Sequence, residues 1–305
     1  MSVMTQRACA GCGATARRFA FAGRDWYIGT AAGRWEYHRC ENCGSVYADP
    51  QPSDADLDAA YAASYGPYQG PGLVERVAEP LARREAAWIV SHAGGTGSML
   101  DLGCGTGAMM RRIRECGWTG DIRGVEFSED VARATAERLG LPVAVAPVEE
   151  VPMPEAPVRL VVLRHVIEHV REPQAVLQRI GEMLEPGGVL YVGTPDRRAL
   201  AERAFGRYWH GYDPPRHLHA FTADGVRRLL RASGYEVVAE RWDFAPQMWA
   251  ASLHHRLSAS RYARWADPLS ALVNPLVAAP SIVAGLLEVL LRRTTMYGVV
   301  ARKAS

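Results

Sequence analysis

The sequence predicts an α/β protein in which helices cover both faces of a parallel β-sheet. Two observations support this fold class. From about Ser98 onward, short apolar runs alternate with amphipathic stretches, as strands and helices do in βαβ units. The runs VVL and VLYV are apolar without alternation, which is typical of strands buried on both sides. With 305 residues, 48% of them apolar, the chain can bury one large domain plus an accessory module.

The composition points to no charged partner and argues against disorder. Lys and Arg number 35 against 33 Asp and Glu, a net charge of +2, which is too balanced to indicate a surface that tracks nucleic acid. The first residues contain no apolar segment behind a basic start, so we expect a cytoplasmic location, with membrane association as an open alternative.

Residues 1–50 predict a zinc ribbon. Two C-x-x-C pairs are separated by 27 residues, and four thiolates complete a closed tetrahedral site whose role is structural. We expect Gly11, Gly13 and Gly44 to supply the positive φ angles that such turns need. The alternative, a redox pair, would need one C-x-x-C at a strand–helix junction. The predicted ligands are Cys9, Cys12, Cys40 and Cys43.

Residues 51–97 are predicted to form a linker and a leading helix. The segment from Leu73 to His92 has helical periodicity, and a run of Gly and Thr at 94–97 predicts the end of the helix. The large domain is expected to occupy residues 98–305.

A glycine-rich loop follows the first strand of that domain. In the stretch D-L-G-C-G-T-G at 101–107, alternate glycines let the backbone approach a ligand, and the start of the next helix favours a negative group. Glu126 comes 19 residues after Gly107, at the end of the next strand, where a carboxylate can accept hydrogen bonds from two ribose hydroxyls.

The order of these motifs resembles that of the class I S-adenosylmethionine-dependent methyltransferases. The segments MLDLGCGTG, GVEFS, LRHVIEHV and LEPGGVLYVGTPD carry the resemblance, which covers about Leu73 to Lys303. It implies a Rossmann-like, seven-stranded sheet whose last strand is antiparallel, with S-adenosylmethionine lying across the carboxyl ends of the first strands.

The resemblance also implies the cofactor contacts. The glycine loop would hold the methionine portion, Glu126 the ribose and Phe127 the adenine, while Arg164 and His165 would lie beside the methyl group. Ala146-Pro147-Val148 replaces the family's Gly-Asp, so we expect a backbone contact to the adenine there. The full predicted set is Asp101, Gly103, Cys104, Gly105, Gly107, Glu126, Phe127, Val148, Arg164 and His165.

The motif H-x-x-E-H, formed by His165, Glu168 and His169, is the first candidate for catalysis. On the first turns of a helix these positions share one face and could offer bases or metal ligands. A related E-x-x-E-H binds a divalent ion in ubiquinone-type O-methyltransferases and small-RNA 3′-end methyltransferases. Completed by His217 or His219, the set here would suit Zn, Mn, Fe or Ni as a second metal. The alternative is a structural role, in which Glu168 caps a helix or forms an ion pair and His169 packs under the substrate loop.

The segment from Phe205 to Phe221 is the second candidate, because it is dense in aromatic and histidine residues after the fifth strand. It predicts an acceptor pocket with His217 as a base, so the predicted catalytic residues are His165, Glu168, His169 and His217. The alternative is an aromatic plug between the sheet edge and the helix predicted at 223–233. The predicted pocket walls are Tyr208, Trp209, His210 and Tyr212.

Residues 245–293 predict a helical insertion before the last strand. The part from 268 to 291 is strongly apolar with Glu288 as its one charge, and Pro275 and Pro280 argue against a membrane span. A lid, a contact between identical subunits and a peripheral membrane contact through 268–293 all stay open.

Together these features predict a biosynthetic methyltransferase of the EC 2.1.1 class. It would use S-adenosylmethionine and a structural zinc ion, and would methylate a small or lipid-linked acceptor, with oxygen favoured as the attacking atom. The open alternatives are a nucleic-acid or protein methyltransferase that recruits its target through the ribbon, a C-methyltransferase of sugars or natural products, and a non-catalytic binding module. Composition makes nucleic acid an unexpected partner.

Overall fold

A computed structural model describes residues 7–61, 73–266 and 274–304. Parts of the predicted linker (62–72) and of the apolar insertion (267–273) lie outside these ranges. The chain divides into two compact units, and neither is a continuous stretch. The Cys-rich unit comprises Met1–Ala62, Pro195–Leu229 and Trp242–Tyr297; the sheet unit comprises Ala63–Thr194, Leu230–Arg241 and Gly298–Ser305. The boundaries predicted at 50 and 97 stay predictions.

Strands and helices alternate through most of the chain. The strands are β1 Arg17–Gly23, β2 Trp35–Cys40, β3 Val46–Ala48, β4 Met99–Leu102, β5 Ile122–Glu126, β6 Val143–Val145, β7 Val158–Arg164, β8 Leu184–Pro195, β9 His219–Ala220, β10 Tyr235–Asp243 and β11 Met296–Lys303. The helices are α1 Asp54–Ala60, α2 Leu73–Ala93, α3 Ala108–Glu115, α4 Glu129–Leu139, α5 Pro173–Met183, α6 Leu200–Phe205, α7 Ala223–Ala232, α8 Gln247–Ser258 and α9 Pro275–Leu290.

Seven strands form the large sheet, in the order β10-β11-β8-β7-β4-β5-β6, and the last strand of the chain, β11, is antiparallel. The strand β4 lies in the middle, with Met99 paired to Ile122 on one side and to Leu160 on the other, both in parallel register. The predicted fold class is therefore confirmed.

The apolar runs seen in the sequence form the centre of this sheet. Val161 and Val162 in β7 and Leu190 in β8 are completely buried, as expected for strands covered on both faces. The ends of the helices follow local chemistry: α4 stops at Gly140, which adopts the left-handed conformation at φ 60°. This arrangement brings the carboxyl ends of β4, β5 and β7 to one edge of the sheet.

The Cys-rich unit contains a second, four-stranded sheet in the order β1-β2-β3-β9. Its strands are antiparallel, and Val46 of β3 pairs with Ala220 of β9. The short strand β9 comes from the segment 205–221, so that segment completes the sheet of the predicted ribbon. Phe21, Tyr37 and Trp209 lie in the apolar core of this unit.

The insertion before β11 is helical, as predicted, and contains α8 and α9. Several apolar side chains of α9 are exposed, among them Leu276 and Leu290, whereas Glu288 is buried and accepts a hydrogen bond from the Ala201 N–H at 2.9 Å. Among the described helices, none combines the length and apolar character needed to cross a membrane. The roles of lid, subunit contact and membrane contact stay predictions.

Candidate functional site

The glycine loop lies between β4 and α3 and is shaped by three residues with positive φ: Gly103 at 70°, Gly105 at 51° and Gly107 at 64°. A Cβ on Gly103 would lie 2.6 Å from Val166, and one on Gly107 would lie 2.4 Å from Leu139, so packing excludes side chains there. Gly105 has no neighbouring atom within 4 Å of such a Cβ. Two glycines therefore serve packing, and Gly105 leaves open space beside the backbone.

Glu126 connects this loop to the end of β5. Its Oε2 accepts a hydrogen bond from the Gly105 N–H at 2.9 Å, and its Oε1 accepts one from the Ser128 N–H at 3.1 Å. The side chain is 3% exposed, and burial raises the pKa of its carboxyl. Each oxygen keeps a lone pair beyond its backbone bond, so the carboxylate can still accept hydroxyl donors.

Asp101 lies in β4, immediately before the loop, and is 2% exposed. Its Oδ2 is buried and has no hydrogen-bond partner within the described part of the chain. Burial raises the pKa of this carboxyl to about 7. A buried carboxylate oxygen without a partner is costly, and a donor or cation from a ligand would remove that cost.

Arg164 ends β7, and its Nε donates to Glu85 Oε1 at 2.9 Å. The Tyr191 hydroxyl donates to the same oxygen at 2.6 Å. Burial lowers the pKa of the Arg164 guanidinium, but the attraction of the Glu85 carboxylate is the stronger effect, so the pKa is raised overall. Neither Glu85 nor Tyr191 was predicted from the sequence. The signal that could have indicated Glu85 is an acidic residue among Leu81, Trp88 and Ile89 on one face of α2.

The H-x-x-E-H motif differs from its predicted conformation. Residues 165–169 form a turn rather than the start of a helix, and α5 begins only at Pro173, where proline suits the first helical position. His165 has a positive φ of 54°, which breaks any helical run at that point. The turn still brings His165 Nδ1 to 3.3 Å from Glu168 Oε1.

Glu168 is completely buried, and its Oε2 accepts a hydrogen bond from the Thr194 hydroxyl at 2.9 Å. His169 follows in the same turn, with its N–H donating to the Val166 carbonyl. With the Nδ1–H tautomer, His165 donates to Glu168 and keeps Nε2 as an acceptor.

The remaining predicted cofactor residues lie around the same edge. Phe127 directly follows β5 and is 48% exposed, as a platform for a flat ring requires. Val148 begins a 3₁₀ turn, Val148–Glu150, after β6. The Cys104 side chain packs toward β5, 2.7 Å from where a Gly124 Cβ would lie, and burial raises its thiol pKa, so a contact to a ligand would come from its backbone.

The predicted pocket residues belong to the Cys-rich unit. Trp209 is fully buried, and its Nε1–H donates to Thr295 Oγ1 at 3.2 Å; Tyr212 is 2% exposed, and its hydroxyl donates to Glu202 at 2.9 Å. Both pack in the apolar core, which favours the aromatic-plug alternative for these two residues. Tyr208 and His210 are half-buried.

His217 is also in this unit. Its Nδ1 lies 2.9 Å from the Gly211 carbonyl, and its own carbonyl accepts from the Tyr37 hydroxyl at 2.9 Å. The first contact fixes the Nδ1–H tautomer. Its catalytic role, like that of His169, stays a prediction.

A buried charge network in the Cys-rich unit was not predicted. The completely buried Arg216 donates from Nε and Nη2 to Asp213 at 2.8 and 2.7 Å, and from Nη2 to Asp25 at 2.7 Å. Its Nη1 donates to the Ala60 carbonyl. Burial opposes ionisation, but Arg216 keeps the pKa of both carboxyls below their usual values.

The four paired cysteines come together. Their Sγ atoms all lie within 4.8 Å of one another, with Cys9 and Cys43 at 3.6 Å and Cys12 and Cys40 at 3.5 Å. Each pair forms a turn closed by a glycine N–H, from Gly13 to Cys9 O and from Gly44 to Cys40 O.

Gly13 and Gly44 have positive φ, as predicted, but Gly11 does not. A Cβ on Gly11 would lie 3.2 Å from Gly225 Cα, so close packing explains that glycine.

Comparison with known proteins identifies the family to which the segment with most of the large sheet and the glycine loop belongs. Residues 71–240 match the model of a family described as a methyltransferase domain, which is more than half of the chain. The chain belongs to this methyltransferase family. The predicted class I S-adenosylmethionine-dependent methyltransferase is thereby confirmed at the level of the family.

Two curated relatives of this methyltransferase are O-methyltransferases. A ubiquinone biosynthesis O-methyltransferase of Cereibacter sphaeroides is 29% identical over 170 residues, 52% of this chain and 68% of the relative. A malonyl-[acyl-carrier protein] O-methyltransferase of Serratia marcescens is 26% identical over 184 residues, 60% of this chain and 69% of the relative.

Solved structures share the fold. A candidate methyltransferase from Bacillus halodurans superposes with a TM-score of 0.51 at 14% identity, covering 73% of this chain and all of the other. A candidate sarcosine dimethylglycine methyltransferase from Galdieria sulphuraria gives 0.50 at 17%, covering 75% and 88%.

Proposed function

We propose that this methyltransferase transfers the methyl group of S-adenosylmethionine to an oxygen of a small or lipid-linked acceptor in a biosynthetic pathway. The observation that carries the proposal is the arrangement of Asp101, Gly105 and Glu126 at the carboxyl ends of β4 and β5. The unpartnered Oδ2 of Asp101 suits the ammonium of the methionine portion, and Glu126 suits the two ribose hydroxyls. The open space at Gly105 admits the ligand between them.

When bound, S-adenosylmethionine supplies an electrophilic methyl group for in-line displacement. The protein then has to align the acceptor oxygen, exclude water and remove a proton. We assign proton removal to His165 Nε2, because Glu168 holds the opposite ring nitrogen at 3.3 Å. Glu168 is a positioning residue, and Thr194 fixes its other oxygen at 2.9 Å.

The curated relatives support oxygen as the attacking atom, since both methylate oxygen according to their names. Transfer to carbon, to nucleic acid or to protein stays an alternative for an acceptor screen.

Calorimetric titration with S-adenosylmethionine and S-adenosylhomocysteine tests the cofactor assignment without an acceptor. Glu126→Gln removes one acceptor site for the ribose, so we expect its affinity to fall about tenfold or more, the loss of a hydrogen bond to a charged group. Glu129→Gln is the matched control, because Glu129 is exposed three residues further on. Equal affinities in the two variants would contradict the ribose assignment, and no binding by the folded wild-type protein would contradict the function.

We further propose that Cys9, Cys12, Cys40 and Cys43 hold one structural zinc ion. Four sulfur donors within 4.8 Å of one another suit tetrahedral zinc, and the set leaves no position for substrate. Elemental analysis after dialysis should find about one zinc per chain, lost in Cys9→Ser and kept in Cys116→Ser, whose thiol is outside the cluster. Zinc-free wild-type protein with unchanged stability would overturn this assignment.

A further inference from the structure

A cavity of about 630 Å³ lies within the Cys-rich unit, and none of its lining residues is assigned above to the cofactor or to zinc. Strands β1 and β2 form part of its lining, and the chain around α6 forms another part. Five arginines line it and Glu202 is the one carboxylate among the lining residues. The arginines are Arg18, Arg34, Arg39, Arg197 and Arg207.

The single carboxylate, that of Glu202, already has hydrogen-bond donors. Glu202 Oε1 accepts from Arg197 Nη2 at 3.1 Å and from the Tyr212 hydroxyl at 2.9 Å. The Arg207 guanidinium donates to the Tyr208 hydroxyl, which carries no charge to balance it. In the described ranges, no carboxylate lies within ion-pair distance of Arg18, Arg34 or Arg39. The cavity therefore concentrates positive charge that the described residues of the unit neutralise only at Arg197.

Guanidinium groups bind phosphate oxygens in a planar, two-bond geometry, and several of them can share one diphosphate. A volume of this size is in the range of small-molecule sites, about 300–1,000 Å³. Phe19 beside it is 56% exposed and could cover an organic part of such a molecule. A concave site with half-buried Arg39 and Arg197 suits a compact anion better than the flat approach of a nucleic acid or an acidic protein.

We propose that this cavity binds the phosphate or diphosphate group of a small molecule. This proposal does not depend on the proposed methyl transfer. A diphosphate can come from a soluble phosphorylated compound or from a lipid headgroup, and both present the same oxygens to the arginines.

Isothermal titration of the full, zinc-loaded chain with inorganic pyrophosphate in low salt is the direct test. We expect saturable binding that weakens as salt rises, because the interaction is between charges. The double variant Arg18→Ala/Arg34→Ala should weaken binding at least tenfold, since each charged hydrogen bond contributes about that factor. The matched control is Arg24→Ala/Arg203→Ala, two exposed arginines of the same unit outside the cavity lining.

Three further measurements make the result decisive. Melting temperatures of both double variants establish that they fold. The affinity for S-adenosylmethionine in the same samples should stay unchanged, so that failure of this proposal can be distinguished from failure of the methyltransferase assignment. Co-sedimentation with phosphatidic acid vesicles distinguishes a lipid headgroup from a soluble source when pyrophosphate also binds. Absence of saturable pyrophosphate binding, or equal binding by the two double variants, would overturn the proposal.

Discussion

Asp101 in the sheet unit and Asp213 in the Cys-rich unit are both buried aspartates, yet their environments are opposite. Asp101 Oδ2 has no partner in the described chain, and burial raises its pKa to about 7. Both oxygens of Asp213 accept hydrogen bonds from Arg216, which holds its pKa below the usual value despite burial. Burial alone therefore does not distinguish these two aspartates; the unmet hydrogen-bonding requirement of Asp101 does.

The comparison separates what the two groups do for the protein. The Arg216 network satisfies its own members and joins the loop at 213–216 to Asp25 and Ala60, so it specifies a conformation. Asp101 carries a cost that the folded chain does not remove, and a ligand can remove it. A stability cost localised beside a glycine loop is the expected property of a binding site.

Arg216→Met should have the largest effect, because it leaves Asp213 and Asp25 buried without a cation. Removing one member of a buried ion pair costs about 3–5 kcal/mol of unfolding free energy. The pH dependence should also reverse. In the wild-type protein the lowered pKa of Asp213 gives stability that is lost as the pH falls below its ordinary value, whereas in the variant stability should fall as the pH rises.

Urea denaturation of the full chain between pH 2 and 8 measures both effects, because the wild-type loss begins below the ordinary pKa of an aspartate, at about pH 4. Arg133→Met is the control, because Arg133 forms an exposed pair with Asp130 and its loss should leave the urea midpoint unchanged. A small loss in Arg216→Met with the wild-type pH slope would remove the contrast between the two aspartates.

Asp101→Asn should act in the opposite direction and stabilise the ligand-free protein. Burial raises the pKa of the native carboxyl to about 7, well above its ordinary value of 3.8. The native state therefore binds more protons than the unfolded state between these values and loses stability as the pH rises through them. At about 1.4 kcal/mol for each pKa unit, the gain on substitution is about 4 kcal/mol at pH 8 and falls below about 1 kcal/mol near pH 4.

The same variant should bind S-adenosylmethionine more weakly, since the neutral amide cannot form an ion pair with the ammonium of the methionine portion. Thermal or urea unfolding at the two pH values, with and without the cofactor, checks both parts. Destabilisation at pH 8 would show that Asp101 is already satisfied in the folded protein.

Tyr191→Phe should have the smallest of the three effects. It deletes a 2.6 Å hydrogen bond to the charged Glu85, which contributes about 2 kcal/mol. Tyr235→Phe deletes a 2.8 Å bond to the neutral Leu177 carbonyl and should cost about 1 kcal/mol. Urea midpoints compare the two variants, and the reverse order would mean that Arg164 alone satisfies Glu85.

The two units differ in how much of their structure could be anticipated. The glycine loop, Glu126 and the alternating strands were predicted because their signals are local: a positive φ, a helix start or a buried strand constrains residues close together in sequence. The turn at 165–169 was predicted wrongly as a helix, since the periodicity of three residues cannot reveal the left-handed His165 that breaks it.

The sequence by itself determined the methyltransferase fold, the glycine loop and the paired cysteines, because the motifs that predict them depend on short-range spacing. Only the tertiary structure decided that Asp25, Arg216 and Asp213 form one network, that strand β9 completes the sheet of the Cys-rich unit, and that arginines from three separate segments line one cavity. Those contacts join residues far apart in sequence, and long-range pairing follows from how the whole chain packs, which no local pattern encodes.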